Sequence, residues 1–342
     1  MTPQLVSQPR SAPTSPGRAA LERVILVSPR GFCAGVVRAI ATVEGALATF
    51  GPPVYVRRAI VHNVHVAARL AAAGAVFVDE LGQVPRGGVV VFGAHGVSAF
   101  VREQARSREL RVVDATCPLV AKVHREVRRY RRDGYEVLLV GHAGHDEVTG
   151  TLGQASGVRL VEDVAQIAGL RIEDPDRVAC VTQTTLRPQD VTPVVDALRQ
   201  RFPSIVEPSA EDICYATRNR QAAVEWLARR VDLILVVGDP ASSNSRRLRE
   251  AASAAGCTAY LVSSAAELDG SWLSDAAVVG VTAGASTPDD VVTGLLDRLC
   301  AGGAVPEEKT FIEERVGFRL PPIVEGGGDV IRYASTLGRE AR

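Results

Sequence analysis

The sequence predicts an α/β protein of three similar small units, each with a mostly parallel sheet. Three observations carry this. Short apolar runs alternate with amphipathic helical stretches, the pattern of βαβ units. A length of 342 residues allows about two or three domains. A cysteine recurs three times at the same strand-to-helix turn. The apolar runs are unalternating and bounded by Gly, Pro or polar turns, which is how strands buried on both faces read.

In chain order, the strand 24–27 leads through SPRGF to Cys33 and a helix to Phe50. Strands at 54–56 and 89–92 follow. The run 111–113 leads through DAT to Cys117, which opens the helical PLVAKVHREV. Strands come next at 137–140 and 178–181. The pair Ile205 and Val206 leads through EPSAEDI to Cys214, ahead of YATRNRQAAVEWL. The strand 233–237, a helix over 245–255 and strands at 258–262 and 277–281 complete the pattern. The cysteines are 84 and 97 residues apart, about one small α/β unit each, so the expected organisation is a weak threefold repeat. Its expected boundaries are a disordered extension 1–21, unit 1 over 22–113, unit 2 over 114–211, unit 3 over 212–302 and a tail 303–342. The last ~20 residues of that tail are expected to be mobile.

Charge and composition exclude several classes. Lys+Arg and Asp+Glu are both 39, and the zero net charge argues against a general nucleic-acid binder, which needs a basic excess. No run approaches the ~18 apolar residues of a membrane span. The N-terminus lacks the apolar region of a secretory signal. A short plastid transit peptide is the alternative to a bacterial extension, and a bacterial cytoplasmic location is expected. All basic residues but Lys122 and Lys309 are arginine. The arginines at 128, 129, 131, 132, 246 and 247 read as solvated helix faces.

Chemistry concentrates at the carboxyl edges of the strands, where open α/β sheets bind ligands. Three thiolates from three units, each at a helix N-terminus, suggest a metal site. Tetrahedral zinc would want a fourth protein ligand, whereas an iron–sulfur cube tolerates one iron without a cysteine. Cys180, Cys257 and Cys300 lie in or beside apolar segments and read as structural. The neighbouring loops carry His62, His95, His142, His145, Asp146, Glu147, the stretch 182–185, Ser242, Ser243, Asn244, Thr282 and Ser286. Hydroxyls, amides and imidazoles at helix N-termini make a phosphate cradle that needs little net charge. Glu147 is the expected proton donor if its pocket is dry. His142 reads as orienting the backbone, and His65 and His124 as helix residues.

The motifs PRGFCAGVVRAI, VHN, AHGVS, DATCPLV, GHAGHDEV, TQTTL, DICYATRNRQ, SSNSRRL and GVTAGASTPD run in order from Val24 to Leu299. Together they resemble the 4-hydroxy-3-methylbut-2-enyl diphosphate reductase family of the non-mevalonate isoprenoid pathway. The resemblance implies three α/β units arranged as a trefoil around a central [4Fe-4S] cluster. Cys33, Cys117 and Cys214 would be its ligands, with the fourth iron open to substrate. It further implies that His62, His95, Ser242, Ser243, Asn244 and Ser286 hold the diphosphate, that His145 lines the pocket, that Thr184 contacts the substrate hydroxyl and that Glu147 supplies the proton. The implied products are isopentenyl and dimethylallyl diphosphate, and the implied electron donor is a ferredoxin or flavodoxin. Val37 and Asp146 depart from the common family pattern, with no direct effect expected on these roles. The residues alone leave two rivals: a non-redox iron–sulfur hydro-lyase, and a phosphometabolite-binding module with structural cysteines.

Overall fold

The computed structural model describes residues 21–208, 211–324 and 330–331. In chain order the elements are β1 (Arg23–Ser28), α1 (Ala34–Phe50), β2 (Val54–Arg57), α2 (Val64–Ala72), β3 (Ala75–Val78), β4 (Val89–Phe92), α3 (Ala99–Ser107), β5 (Arg111–Asp114) and α4 (Pro118–Arg132). They continue with β6 (Glu136–Val140), α5 (Asp146–Leu152), β7 (Val158–Val161), α6 (Val164–Ile167), β8 (Val178–Thr182), α7 (Pro188–Arg201) and α8 (Tyr215–Ala228). The remainder are β9 (Leu233–Val237), α9 (Ser243–Ala254), β10 (Thr258–Val262), β11 (Val278–Ala283), α10 (Asp289–Cys300), β12 (Val305–Thr310), β13 (Ile323–Val324) and β14 (Val330–Ile331).

Three sheets result. The first has the order β14-β13-β5-β4-β2-β3, the second β7-β6-β8 and the third β10-β9-β11-β1-β12. All pairings are parallel except the two made by β13, so the expectation of mostly parallel sheets holds.

One expected boundary is corrected by the strand pairing. The sequence reading puts the first strand in unit 1, over 22–113. Instead β1 pairs with β11 and β12, with Ile25 opposite Gly280 and Glu307, and so lies inside the third sheet. The tail expectation also changes, because β12 closes the edge of that sheet. Its sequence VPEEKT is exposed at nearly every position, and a proline and charges suit a strand with one free edge. Residues 1–20 and most of the last ~20 lie outside the described residues.

The position of β1 gives the molecule a cyclic order. From the third sheet, β1 passes through Cys33 into α1, whose Val36, Ala39, Ile40 and Val43 pack on Val54, Val56 and Val91 of the first sheet. From the first sheet, β5 passes through Cys117 into α4, whose Val123, Val127 and Tyr130 pack on Val137, Leu139 and Val181 of the second. After β8 and α7 of the second unit, Cys214 leads into α8. There Ala223, Val224 and Leu227 pack on Ile25, Val27 and Ile234 of the third sheet. Each turn cysteine therefore stands where the chain crosses from one unit to the next.

The crossover at Cys33 is clamped from below. Arg220 of α8, 1 % exposed, donates to the carbonyl oxygens of Gly31 at 3.0 Å and Ala216 at 3.1 Å, and pairs with Glu314 at 3.0 Å. Breaking a buried ion pair by removing one partner is costly. Arg220→Leu is expected to lower the unfolding free energy by about 3 kcal/mol in urea denaturation. A loss below about 1 kcal/mol would mean that the clamp contributes no more than an ordinary hydrogen bond.

Candidate active site

Each turn cysteine is the N-cap residue of its helix: Cys33 of α1, Cys117 of α4 and Cys214 of α8. The thiols are brought close together. A Cβ placed on Gly35 would lie 2.8 Å from Cys117 Sγ and 3.7 Å from Cys33 Sγ, so only glycine leaves room for them there. Burial, reinforced by the neighbouring thiols, pushes Cys117 up to about 12 and Cys214 up to about 11. In opposition, the amide of Thr217 donates to Cys214 Sγ at 3.3 Å, and the Thr217 hydroxyl lies 3.1 Å from that sulfur. All six cysteines are free thiols, and Cys180, Cys257 and Cys300 stand apart from this group.

Glu147 follows the N-cap of α5, and its side chain is 2 % exposed. The backbone N–H of Thr184 donates to its Oε1 at 2.7 Å and the Thr184 hydroxyl to its Oε2 at 2.9 Å. Burial outweighs these bonds and raises the carboxyl to about 7. The carbonyl of the same Thr184 accepts from the N–H of Cys214 at 3.0 Å, tying the acid to the third thiol residue.

Three imidazoles meet beside this acid. His62 and His95 stack with ring centres 4.3 Å apart, and His145 meets each edge-on at 5.4 Å. Desolvation lowers all three, His145 to about 4 and His95 well below the usual range; repulsion from neighbouring imidazoles adds to it at His95 and His145, while Asp146 and Asp239 oppose it at His62. The cluster is therefore neutral. His145 caps α5 by accepting the N–H of Glu147 on Nδ1 at 3.2 Å, so its proton sits on Nε2. His62 Nε2 and His95 Nδ1 are buried with no hydrogen-bond partner.

The α9 end supplies the remaining polar groups. Ser242 caps the helix by accepting from Ser245 N at 3.3 Å, and Ser243 Oγ accepts from Thr185 at 3.0 Å. Asn244 Oδ1 accepts from Ala285 N at 2.8 Å, which leaves its buried Nδ2 unpaired. The Ser286 hydroxyl donates to the carbonyl of His62 at 2.9 Å.

One cavity is lined by all twelve residues to which the family resemblance gave a role: Cys33, Cys117, Cys214, His62, His95, His145, Glu147, Thr184, Ser242, Ser243, Asn244 and Ser286, whereas Asp146, Thr182, Gln183 and Thr282 of the same edge loops do not line it. His142, His65 and His124 do not line it. Instead, His142 N donates to Gln183, and His124 is packed under Gly96. Asp146 departs from the expectation that it touches no site residue, since its Oδ2 lies 3.8 Å from His62 Nε2 while its Oδ1 holds Arg58. Thr185, from the edge loop 182–185 read from sequence, also lines the cavity, as do Gly35 and Thr217, which the sequence reading did not single out. The signal available for Thr217 was its place three residues into a helix capped by Cys214, where a hydroxyl turns back to the cap.

Fold and site together define a three-unit α/β enzyme with three thiols, a carboxyl raised by burial and three clustered imidazoles in one cavity. Residues 24–300 match the LytB protein family, and the chain belongs to it. A relative from Methylibium petroleiphilum named 4-hydroxy-3-methylbut-2-enyl diphosphate reductase is 51% identical over 313 residues, 91% of this chain and 95% of the relative. One of the same name from Pseudomonas entomophila is 53% identical over 305 residues, 87% of this chain and 97% of the relative. The solved E-1-hydroxy-2-methyl-but-2-enyl-4-diphosphate reductase of Plasmodium falciparum matches with a TM-score of 0.85 at 36% identity, covering 88% of this chain and 96% of that one. A second solved reductase, described as the terminal enzyme of the non-mevalonate pathway, matches at 0.60 and 32%, covering 82% of this chain and all of that one. The chain is accordingly an oxidoreductase. Among the described residues no helix is long and apolar enough to cross a membrane.

The raised carboxyl sets a pH-dependent stability. Between 4.5 and about 7 the folded state holds a proton on Glu147 that the unfolded chain releases. This contribution is full below 4.5 and is lost as pH rises through 7. Relative to Glu147→Gln, wild-type stability should fall by on the order of 3 kcal/mol from pH 4.5 to pH 8, measured by urea denaturation at each pH. A pH-independent difference would show that Glu147 is already ionised when buried.

Proposed function

We propose that this chain reduces 4-hydroxy-3-methylbut-2-enyl diphosphate to isopentenyl and dimethylallyl diphosphate, with a ferredoxin or flavodoxin as electron source. The observation that carries the reading is the shared cavity, in which thiols, a protonated acid and unpaired polar donors are within one ligand's reach. Family membership and relatives of that name covering nearly the whole chain support it.

The thiol group fits an iron–sulfur cube. It offers three sulfur donors with no fourth cysteine lining the cavity, the glycine at position 35 leaves the sulfurs unobstructed, and three helix N-termini favour thiolate over thiol. Cys33, Cys117 and Cys214 would hold the cluster, which when bound supplies single electrons and a Lewis-acidic iron.

The protein's own residues do the rest. Neutral His145 donates from Nε2, and the unpaired Asn244 Nδ2 and the N-terminus of α9 offer further donors to the diphosphate. His62 and His95 present ring nitrogens without partners, which a polyanion would complete and help to protonate. Thr184 orients Glu147, whose carboxyl burial raises to about 7 so that it can give its proton to the departing hydroxyl oxygen. Two electrons and two protons enter, the allylic C–O bond breaks, a C–H bond forms and water leaves. Protonation at either end of the allylic unit gives the two products.

Anaerobically purified protein is expected to be brown and to contain iron and acid-labile sulfide. Cys33→Ser, Cys117→Ser, Cys214→Ser and Gly35→Ala should each lose the chromophore, while Cys300→Ser keeps it. A colourless wild type that turns over substrate would refute the cluster. Glu147→Gln should retain colour and substrate binding but lose roughly 100-fold or more in kcat. Full activity in that variant would remove Glu147 as the acid.

A further inference from the structure

Helix α4 concentrates positive charge in a chain that is neutral overall. It carries Lys122, Arg125, Arg128, Arg129, Arg131 and Arg132 against one carboxylate, Glu126. That carboxylate is buried and Lys122 turns inward to Asp212, which leaves Arg125, Arg128, Arg129 and Arg132 on the exposed face. Arg132 pairs with the adjacent Asp133, but Arg128 bonds the side-chain amide oxygen of Gln154 and Arg129 lies over the ring of Tyr130, so the charge of these two is not neutralised by a carboxylate. A solvated helix face would account for arginines alone. Their position relative to the thiols asks for more.

Two grooves flank Arg38, whose guanidinium donates to the carbonyls of Thr116 at 3.0 Å and Arg319 at 2.8 Å. The first, about 730 Å³, is lined by Arg125, by Arg102 and Asp114, which pair with each other, by Arg106, which pairs with Glu103, by Glu109, and by Thr116 and Pro118, the residues on either side of Cys117. The second, about 520 Å³, is lined by Phe32 and Ala34, which flank Cys33, and by Tyr215, which follows Cys214. Neither groove shares a lining residue with the substrate cavity. A neighbour of every turn cysteine thus reaches this outer surface, one Cα–Cα step of about 3.8 Å from the thiol-bearing residue. The second groove is apolar at its open side, with Val37 at 47% and Val316 at 44% exposure.

We propose that this surface docks an acidic, one-electron carrier protein, with the arginine rim steering it and the apolar grooves seating it. This deepens the reductase reading and rests on it. Apolar patches inside a charged rim are the anatomy of a transient protein interface, and opposite charge mainly raises the association rate. Two reduced carriers dock in turn, each giving up one electron, and the two electrons and two protons of the overall reaction are accounted for.

The test uses iron-loaded Arg106→Glu/Arg125→Glu protein, with both residues lying outside the substrate cavity. Turnover driven by reduced methyl viologen should stay within twofold of wild type. Turnover driven by a reduced acidic ferredoxin should show a KM raised at least tenfold, and direct binding of oxidised ferredoxin should weaken equally and lose much of its salt dependence. Unchanged ferredoxin KM and affinity would overturn the proposal, as would equally tight binding of duplex DNA by the wild type. Arg125→Gln, which removes one charge from a solvent-exposed position, should raise the KM about threefold if the double variant does not fold. Iron-loaded wild type that is inert with methyl viologen would instead sink the reductase reading itself.

Discussion

Everything in this molecule depends on three helix N-termini pointing at one place. Each helix follows a strand of one unit and packs on the sheet of the next, so the capping residue between them lies where two units join. Three such crossovers in cyclic order bring three thiols to a common centre, with an N-terminus behind each. Burial drives two of these thiols well away from ionisation. A helix N-terminus carries roughly half a positive charge, and three of them are the fixed counter-charge available to thiolates there. The units are held around this point by separate apolar cores, so folding stability need not come from the site. Fold and site are coupled through the crossovers, and the Arg220–Glu314 clamp behind Cys33 is part of that coupling.

The same logic shows how a chain of zero net charge would present the proposed anion site. Asn63 caps α2, His145 caps α5 and Ser242 caps α9, which adds further N-termini around the cavity. Several polar atoms there have no partner within the protein, including His62 Nε2, His95 Nδ1 and Asn244 Nδ2. Buried polar atoms are normally satisfied. Leaving several unpaired in one cavity costs stability and stores affinity for a ligand that completes them.

Much of this was legible in the sequence because the chemistry lies in loops after buried strands. There, apolar runs such as Leu233 to Val237 and polar stretches such as Ser242 to Asn244 have different composition for different reasons. What sequence could not provide is pairing at a distance. Nothing local in β1 specifies a partner some 250 residues away, so Ile25 opposite Gly280 had to be seen. The edge strand β12 reads as a charged tail because only one of its edges is paired. Gly35 sat in plain view in CAGVV, but its need to be glycine arises from a sulfur on another unit. Thr217 and Arg220 likewise act through partners that helix periodicity does not reveal.

Burial also separates the two deliveries that a reductase must make. Glu147 is 2 % exposed, and its carboxylate oxygens are both held by Thr184. On the proposed reading, a proton stored there is kept from bulk water until substrate occupies the cavity. The residues next to the thiols are more open: Pro118, Phe32, Ala34 and Tyr215 are part-exposed and line the outer grooves. On the proposed reading, electrons enter from that outer side while the proton waits within the cavity. An electron can cross a few ångströms of protein without a channel, whereas a proton needs a positioned donor within hydrogen-bonding reach of the departing oxygen. That difference in range lets the thiols border an outer surface while the acid stays sealed, and it places the arginine-rich helix directly after Cys117.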